Sequence, residues 1–394
     1  MNLTNGGHKH NKIRDILTEE TGGKSYKAHK YSLDVSERPT LDYGNSHIKW
    51  KKTAETSQHT KYVDLKKLCT CLAKNDQILS YFLDGSRRVF KVDDVAYYDG
   101  RQNMIYPIIA GQIGIGCCHR ENKQMKPEIF KGEIVLSIPN IANADGKSGF
   151  FPAMVTKLND CEDLKRLDLK FNAILPYSTS KKDGSKFEDK ATACVQDRMI
   201  EGEKKLVADL VRKGKLNQDN YLIKDGSLEY RPTLEDKKDK KRYQIFKNNY
   251  NWVLGVSKNF NPDVCLDVNG KPSPGFIADL PLYHRTPVAC YENLDYLGDI
   301  KFAIWYIRLR DQKQTRTPFD GILKVEKILV TEDEINIGID SELVDTLSAL
   351  LINERNPVCY GSDLRWANHI YPIYLTESFV KSKYLSTDSF LHLF

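Results

Sequence analysis

The sequence predicts an α/β protein built on one mixed sheet flanked by helices. Three observations support this. Apolar, β-branched runs come early, at 78–84, 88–95 and 106–117. A single long helical period follows at 191–213, and further strand-like runs come after it. Strands, a helix and then strands again is the pattern of a mixed layer architecture.

The elements follow in order. Residues 1–60 are polar and rich in Lys, Thr, Ser and His, and predict a loosely held, flexible amino-terminal arm with a short helix near Lys12 to Glu20. Residues 61–394 are then expected to form one domain. Lys61 to Lys74 reads as a helix carrying Leu65, Leu68 and Leu72. The first strand is 78–84, the second Arg88 to Val95, the third Tyr106 to Cys117. Within the third, Gly111-Gln-Ile-Gly-Ile-Gly116 does not fit a dinucleotide fingerprint. Its β-branched residues predict a strand that packs closely on something. Residues 133–138 and 168–176 are further strands, and 178–190 is a loop rich in Lys and Asp. After the 191–213 helix come a strand at 221–225 and a basic loop or helix start at 235–247. Charge runs of the latter kind usually mark a solvated face. Strands are expected at 252–258, ending in Lys258, at 300–309, ending near Arg308, and at 321–330. Ser341 to Asn353 is an amphipathic helix with Leu343, Leu347, Leu350 and Leu351 inward. Tyr371 to Leu385 is a helix with Pro372 in its first turn, where a missing N–H costs nothing.

Composition narrows the function classes. The chain has 394 residues, 40% hydrophobic and 10% aromatic, which fits a folded globular protein. A net charge of +6 permits nucleic-acid binding without demanding it. No apolar run approaches membrane-spanning length, and MNLTNGGHKHNKIRD lacks the apolar core of a signal peptide, so a cytoplasmic protein is expected. The nine cysteines are scattered, and Cys69-Thr-Cys71 and Cys117-Cys118 lack zinc spacing. Reduced, mostly buried thiols are expected. There is no HExxH pattern and no GxxxxGK[ST] loop, so no ATPase activity of its own is expected.

The chemistry-bearing signal is a repeated tripeptide. ILSYFLDGS (78–86) and YLIKDGSL (221–228) each carry an apolar strand to an aspartate followed by Gly-Ser. The glycine is expected to let the backbone turn away after Asp84 and after Asp225. If the strands are neighbours, the two carboxylates offer hard oxygen ligands to Mg²⁺ or Mn²⁺. The plainer reading of any one copy is a common Asp-Gly turn. A third copy, Asp183-Gly184-Ser185, lies among lysines with no strand before it and reads as a loop. A third acid comes from the helix. Val195, Met199, Ile200, Leu206, Val207, Leu210 and Val211 share one face, with Glu203 at its centre and Glu201 rotated away beside Lys205. A glutamate on an inward stripe is costly unless it binds a metal or is paired, for example with an arginine.

The order FLDGSR (82–87), acidic helix, IKDGSL (223–228), Gly255-Val-Ser-Lys258, Trp305-Tyr-Ile-Arg308-Leu309 and Tyr371-Pro372-x-x-Leu375 resembles the NurA nucleases over roughly residues 78 to 385. The resemblance implies a ribonuclease-H-like fold close to the PIWI domain. It also implies a Mn²⁺-dependent DNA nuclease, with Mg²⁺ as alternative, that forms a homodimeric ring on a hexameric HerA-type ATPase. It makes Asp84 and Asp225 the aspartate ligands and Glu203 the helical acid, with Glu201 as the alternative. Two ions, about 4 Å apart, would activate water and stabilise the leaving oxygen. Lys258 and Arg308 would grip phosphate, and Tyr371 would stack on a base or support a ligand. One departure stands out. Relatives continue YPxxL to an Ala-His pair whose histidine joins the metal site, and that position here is Phe379, preceded by Ser378. Either Glu377 or water then takes over, or the site is weakened. A catalytically weak or inactive DNA-binding clamp subunit of the same complex is therefore the alternative function. The apolar stretch Ser389-Phe-Leu-His-Leu-Phe394 is expected to bury in a subunit or motor interface.

Overall fold

The computed structural model describes residues 13–26, 29–34, 48–51, 54–72, 78–98, 102–180, 186–228, 240–262, 265, 271, 273–293, 300–357 and 366–394. The third Asp-Gly-Ser copy and residues 235–239 of the basic run lie outside them. One mixed sheet of fourteen strands dominates the described residues. In chain order the strands are β1 (Lys24–Ser25), β2 (Tyr31–Ser32), β3 (Ile48–Lys51), β4 (Val63–Asp64), β5 (Leu79–Tyr98), β6 (Asn103–Glu121) and β7 (Gln124–Pro139). They continue as β8 (Ala173–Tyr177), β9 (Tyr221–Asp225), β10 (Val253–Ser257), β11 (His284–Arg285), β12 (Ala289–Asn293), β13 (Lys301–Arg308) and β14 (Ile322–Ile328).

The main path runs β3-β12-β13-β14-β10-β9-β5-β6-β7-β8. Strands β5, β6 and β7 form an antiparallel meander. Strand β9 then lies parallel to β5, and β10 parallel to β9. The crossover from the meander to β9 contains the long helix Phe187–Arg212, as parallel neighbours require.

Two of the expected strands are one. Residues 78–84 and 88–95 merge into β5, which runs straight through Asp84-Gly85-Ser86. The expected turn after Asp84 does not occur, because β6 keeps pairing: Gly85 lies opposite Ile115 and Ser86 opposite Gly114. By contrast β9 pairs with β5 only as far as Leu83. So β5 outruns its parallel neighbour, and the step between them places the site.

Strand alternation sorts the two faces. Tyr81, Leu83 and Leu222 pack with Val195, Met199 and Leu206 of the long helix. Phe82, Tyr221 and Ile223 pack with Leu347, Leu351 and Ile373 of the helices Ser341–Asn353 and Tyr371–Lys381. The glycine-rich stretch of β6 serves both faces. A Cβ at Gly111 would meet Val195, and one at Gly114 would sit 2.7 Å from Val380. The close packing expected of that stretch is therefore with a helix on each side.

The described residues among the first sixty are tied to the core. Their polar average hides an apolar helical face: in the helix Ile13–Thr21, Ile13, Ile16 and Leu17 are buried. Strands β1 and β2 pair with the far part of β5, and β3 pairs with β12. Glu55 is 1% exposed and meets the fully buried Arg285 at 2.8 Å. The carboxyl-terminal segment corrects its expectation. Phe390, Leu393 and Phe394 are buried in this chain's own third core cluster, with Phe390 5.1 Å from Phe90 between ring centroids. The eight described cysteines are free thiols. No helix among the described residues is long and apolar enough to cross a membrane.

Truncating a buried aromatic leaves a cavity worth about 3–5 kcal/mol. Phe390→Ala should therefore lower stability by about that much in a urea melt. An unshifted midpoint would show that the tail is not docked.

Candidate functional site

Leu83 lies opposite Lys224 in the parallel pair, so Asp84 and Asp225 come level on neighbouring strands. Alternation turns both toward the helix Tyr371–Lys381. Asp84 is 5% exposed and opposite Gly116, whose missing side chain leaves room for Val380 of that helix. Asp225 ends β9, and here the glycine does make the turn: Gly226 has φ +88°. Lys258, just past β10, puts its Nζ 2.7 Å from Asp225 Oδ2 and 3.5 Å from Glu377 Oε2. Glu377 comes from the facing helix, where Lys381 holds its Oε1 at 2.5 Å. The Phe379 ring lies beside Gly116, opposite Asp84 on β6, and edge-on to Phe130 at 5.9 Å.

Glu203 approaches from the opposite face. It is 3% exposed on the long helix, and a Cβ at Gly85 would overlap its Oε1. Gly85 is thus required by close approach to a carboxylate, not by a turn. The partner of Glu203 is a lysine: Lys224 Nζ lies 3.1 Å from Oε2 and also donates to the carbonyls of Asp225 (2.9 Å) and Ser227 (3.3 Å). Glu201 points outward, its side chain 43% exposed and 2.8 Å from Lys204. The turn after Asp225 is held from beneath by the buried Glu326 of β14, which accepts from Ser227 Oγ at 2.8 Å and Leu228 N at 2.7 Å.

The electrostatics follow from crowding acids in a dry place. Burial pushes the Asp84 carboxyl well above its usual range, and Asp225, Glu377 and Glu203 push it further; Lys258 opposes them. Burial also raises Glu203, against the pull of Lys224. For Lys258, burial works against the charge, but Asp225, Glu377 and Asp84 outweigh it and hold the amine as an ammonium.

Asp84, Asp225, Glu377 and Lys258 line one cavity of about 940 Å³, which Glu203 and Lys224 do not line. Asp84, Gly85, Asp225, Lys258 and Glu377 form one part of it, and Arg87, Arg88, Lys186 and Lys381 line it too. Two residues expected to contact phosphate or base do not line it. Arg308 is 1% exposed and spends its guanidinium on the carbonyls of Leu280, Ala278 (2.7 Å) and Pro318 (2.9 Å), so it is a structural cation. Tyr371 sits at the start of its helix, 37% exposed and stacked on Tyr374, and does not line the cavity. Lys224 was missed by sequence reasoning. Alternation was the available signal: the residue before Asp225 must face the helix that carries Glu203.

The donor set around Asp84 is oxygen only, which suits a hard divalent cation rather than a thiolate-loving one. Among the described residues, no three His, Cys, Asp or Glu side chains already stand as a metal-holding group. The acids are instead engaged by ammonium groups, Lys258 bridging Asp225 and Glu377 and Lys224 pairing with Glu203. Asp84, Asp225 and Glu377 fit as ligands if an ion takes over the counter-charge that Lys258 supplies.

No family model and no curated protein matches the sequence. Among solved structures, the crystal structure of the NurA nuclease from Sulfolobus solfataricus is similar over 80% of this chain and 85% of that one, at 12% identity and a TM-score of 0.38.

Two stability outcomes follow. Breaking a buried pair costs about 3–5 kcal/mol, whereas an exposed helical pair is worth about 0.5 kcal/mol or less. Glu203→Gln should therefore destabilise markedly and Glu201→Gln hardly at all in parallel urea melts; the reverse ranking would show the helical phase to be wrong. Asp84→Asn should raise the thermal midpoint. A carboxyl whose folded pKa is raised costs stability above that pKa, and the cost fades as pH falls toward its unfolded value of about 3.9. The gap between mutant and wild type should close on acidification, and a lower midpoint for the mutant at neutral pH would contradict the electrostatic account.

Proposed function

We propose that this protein is a metal-dependent DNA nuclease. One observation carries the reading: Asp84 and Asp225 lie level on adjacent parallel strands, with Glu377 facing them at the rim of a cleft that also holds cations. The strand order β7-β6-β5-β9-β10 supports a ribonuclease-H-like core. In that arrangement an antiparallel meander is followed by a helix, and the meander's first strand then pairs in parallel with later strands. The acids of this chain occupy its meander strand, its crossover helix and its next strand.

Asp84, Asp225 and Glu377 would hold Mn²⁺ or Mg²⁺, with Glu203 as the acid of the opposite face. Bound there, such an ion would activate water as a Lewis acid and offset charge developing on phosphate. The chain's own residues do the rest. Asp84 and Asp225 fix the position of the reacting phosphate by fixing its counter-charge. Lys258, buried and charged, donates to a phosphate oxygen once its carboxylates are otherwise engaged. Glu326 and Lys224 hold the turn that aims Asp225. The motif resemblance extends the proposal to two ions per site, a homodimer and a HerA-type hexameric ATPase, in DNA end processing or defence against phage.

The second reading is a clamp subunit that binds DNA without cutting it. Phe379, set against Phe130 where relatives carry a metal-binding histidine, favours it. Incubating the purified protein with linear DNA in Mn²⁺, Mg²⁺ or EDTA separates the two. Cleavage should require the metal and fall by about a hundredfold or more in Asp84→Asn and Asp225→Asn, as when a group stabilising the transition state is removed. Equal rates in EDTA or in both variants would sink the assignment, and binding without cleavage would leave the clamp.

A further inference from the structure

Beyond Leu83 strand β5 has lost β9, and β2 joins it only at Phe90 and Lys91. Among the described residues, the edge from Asp84 to Arg88 therefore lies open beside the acids. Its end is marked by an anion from the chain itself. Past β2, Leu33 N donates to Val89 O at 2.7 Å, and the Asp34 carboxylate accepts from Val89 N at 3.0 Å. Its other oxygen lies 3.5 Å from Arg87 Nη1. Arg87 Nε is held by Gln196 of the long helix at 2.6 Å, which fixes the guanidinium in the cavity wall.

The geometry of this edge is that of an anion site. Val89 uses both its N–H and its C=O on this edge, so residues of the same parity, Gly85 and Arg87, direct theirs there as well. Gly85 and Arg87 then present two backbone N–H groups within about 10 Å of Asp84 along the extended strand. The Arg87 guanidinium stands on the long-helix face of the sheet, opposite the face of the Asp84 carboxylate, in the wall of the same cavity. Backbone N–H groups and arginine are the usual holders of phosphate oxygens. The fit of Asp34 is partial. Its contact to Arg87 is long, and burial raises its carboxyl against the Val89 N–H and the two arginines. A phosphodiester carries a permanent charge and more acceptor oxygens than that carboxylate offers.

We infer that the β5 edge from Gly85 to Arg87 is a phosphate subsite for the nucleic-acid strand next to the scissile position, and that Asp34 is the internal anion that Arg87 exchanges for it. The inference rests on the nuclease reading and adds to it a subsite from residues outside the acids. It also gives the amino-terminal segment a part in substrate entry.

The test is binding without chemistry. Wild type, Arg87→Gln, Arg87→Lys and Asp34→Asn are titrated, in EDTA, against a short fluorescent single-stranded DNA and its duplex, at several salt concentrations. Wild type should bind with a salt-dependent affinity. Arg87→Gln should weaken binding about tenfold and reduce the salt slope by about one, with Arg87→Lys in between. Asp34→Asn should tighten binding several-fold, since the internal competitor is gone. An Arg87→Gln protein with the wild-type melt and wild-type affinity overturns the subsite and leaves the nuclease reading standing. An Asp34→Asn protein no tighter than wild type overturns the exchange. A wild type that binds neither DNA overturns the subsite, and the nuclease reading is then judged by cleavage in Mn²⁺ alone. If Arg87→Gln melts early, the Arg87→Lys and Asp34→Asn pair decides the outcome alone.

Discussion

Carboxylates drawn into a dry strand edge repel one another, and the surroundings of this site answer that repulsion. Asp84, Asp225 and Glu377 converge from two strands and a helix, and Glu203 presses in from the other face. Each would be costly alone. Lys258 and Lys224 keep the arrangement affordable, one ammonium on each face of the sheet. The lysines balance the acids without matching them, and Asp84 carries the residue of that imbalance as a raised carboxyl pKa. That imbalance is the feature on which the proposed cation site rests.

The step in the sheet turns this crowding into an accessible site. Because β5 goes on with β6 but without β9, the carboxylates lie at a rim and the open edge continues from them toward Arg87. The two Asp-Gly-Ser motifs meet at this step with different glycine roles. Gly226 takes a backbone angle suited to glycine, while Gly85 stays extended and leaves space for Glu203.

Much of this was readable from residues alone, and the rest failed for physical reasons. The helix at 341–353 and the strands at 221–225 and 253–257 follow from periodicity, which is local. The centring of Glu203 on its helical stripe and the exposure of Glu201 follow from the same rule. The continuity of β5 does not, because Asp-Gly-Ser is a turn signal that only a neighbouring strand can override. Arg308 looked like a phosphate ligand because a strand-end arginine reads the same whether it meets water or three buried carbonyls. The aromatic tail looked unpartnered because its partners, Phe90 and Phe171, are hundreds of residues away.

That third core cluster has a consequence for how the molecule is made. It joins Ile13, Ile16 and Leu17 to Phe390, Leu393 and Phe394. Synthesis proceeds at about 5–20 residues per second, so the first helix emerges roughly 20–80 seconds before the aromatics that complete its cluster. Until then its apolar face has only part of its cover, and closing so long a loop is slow.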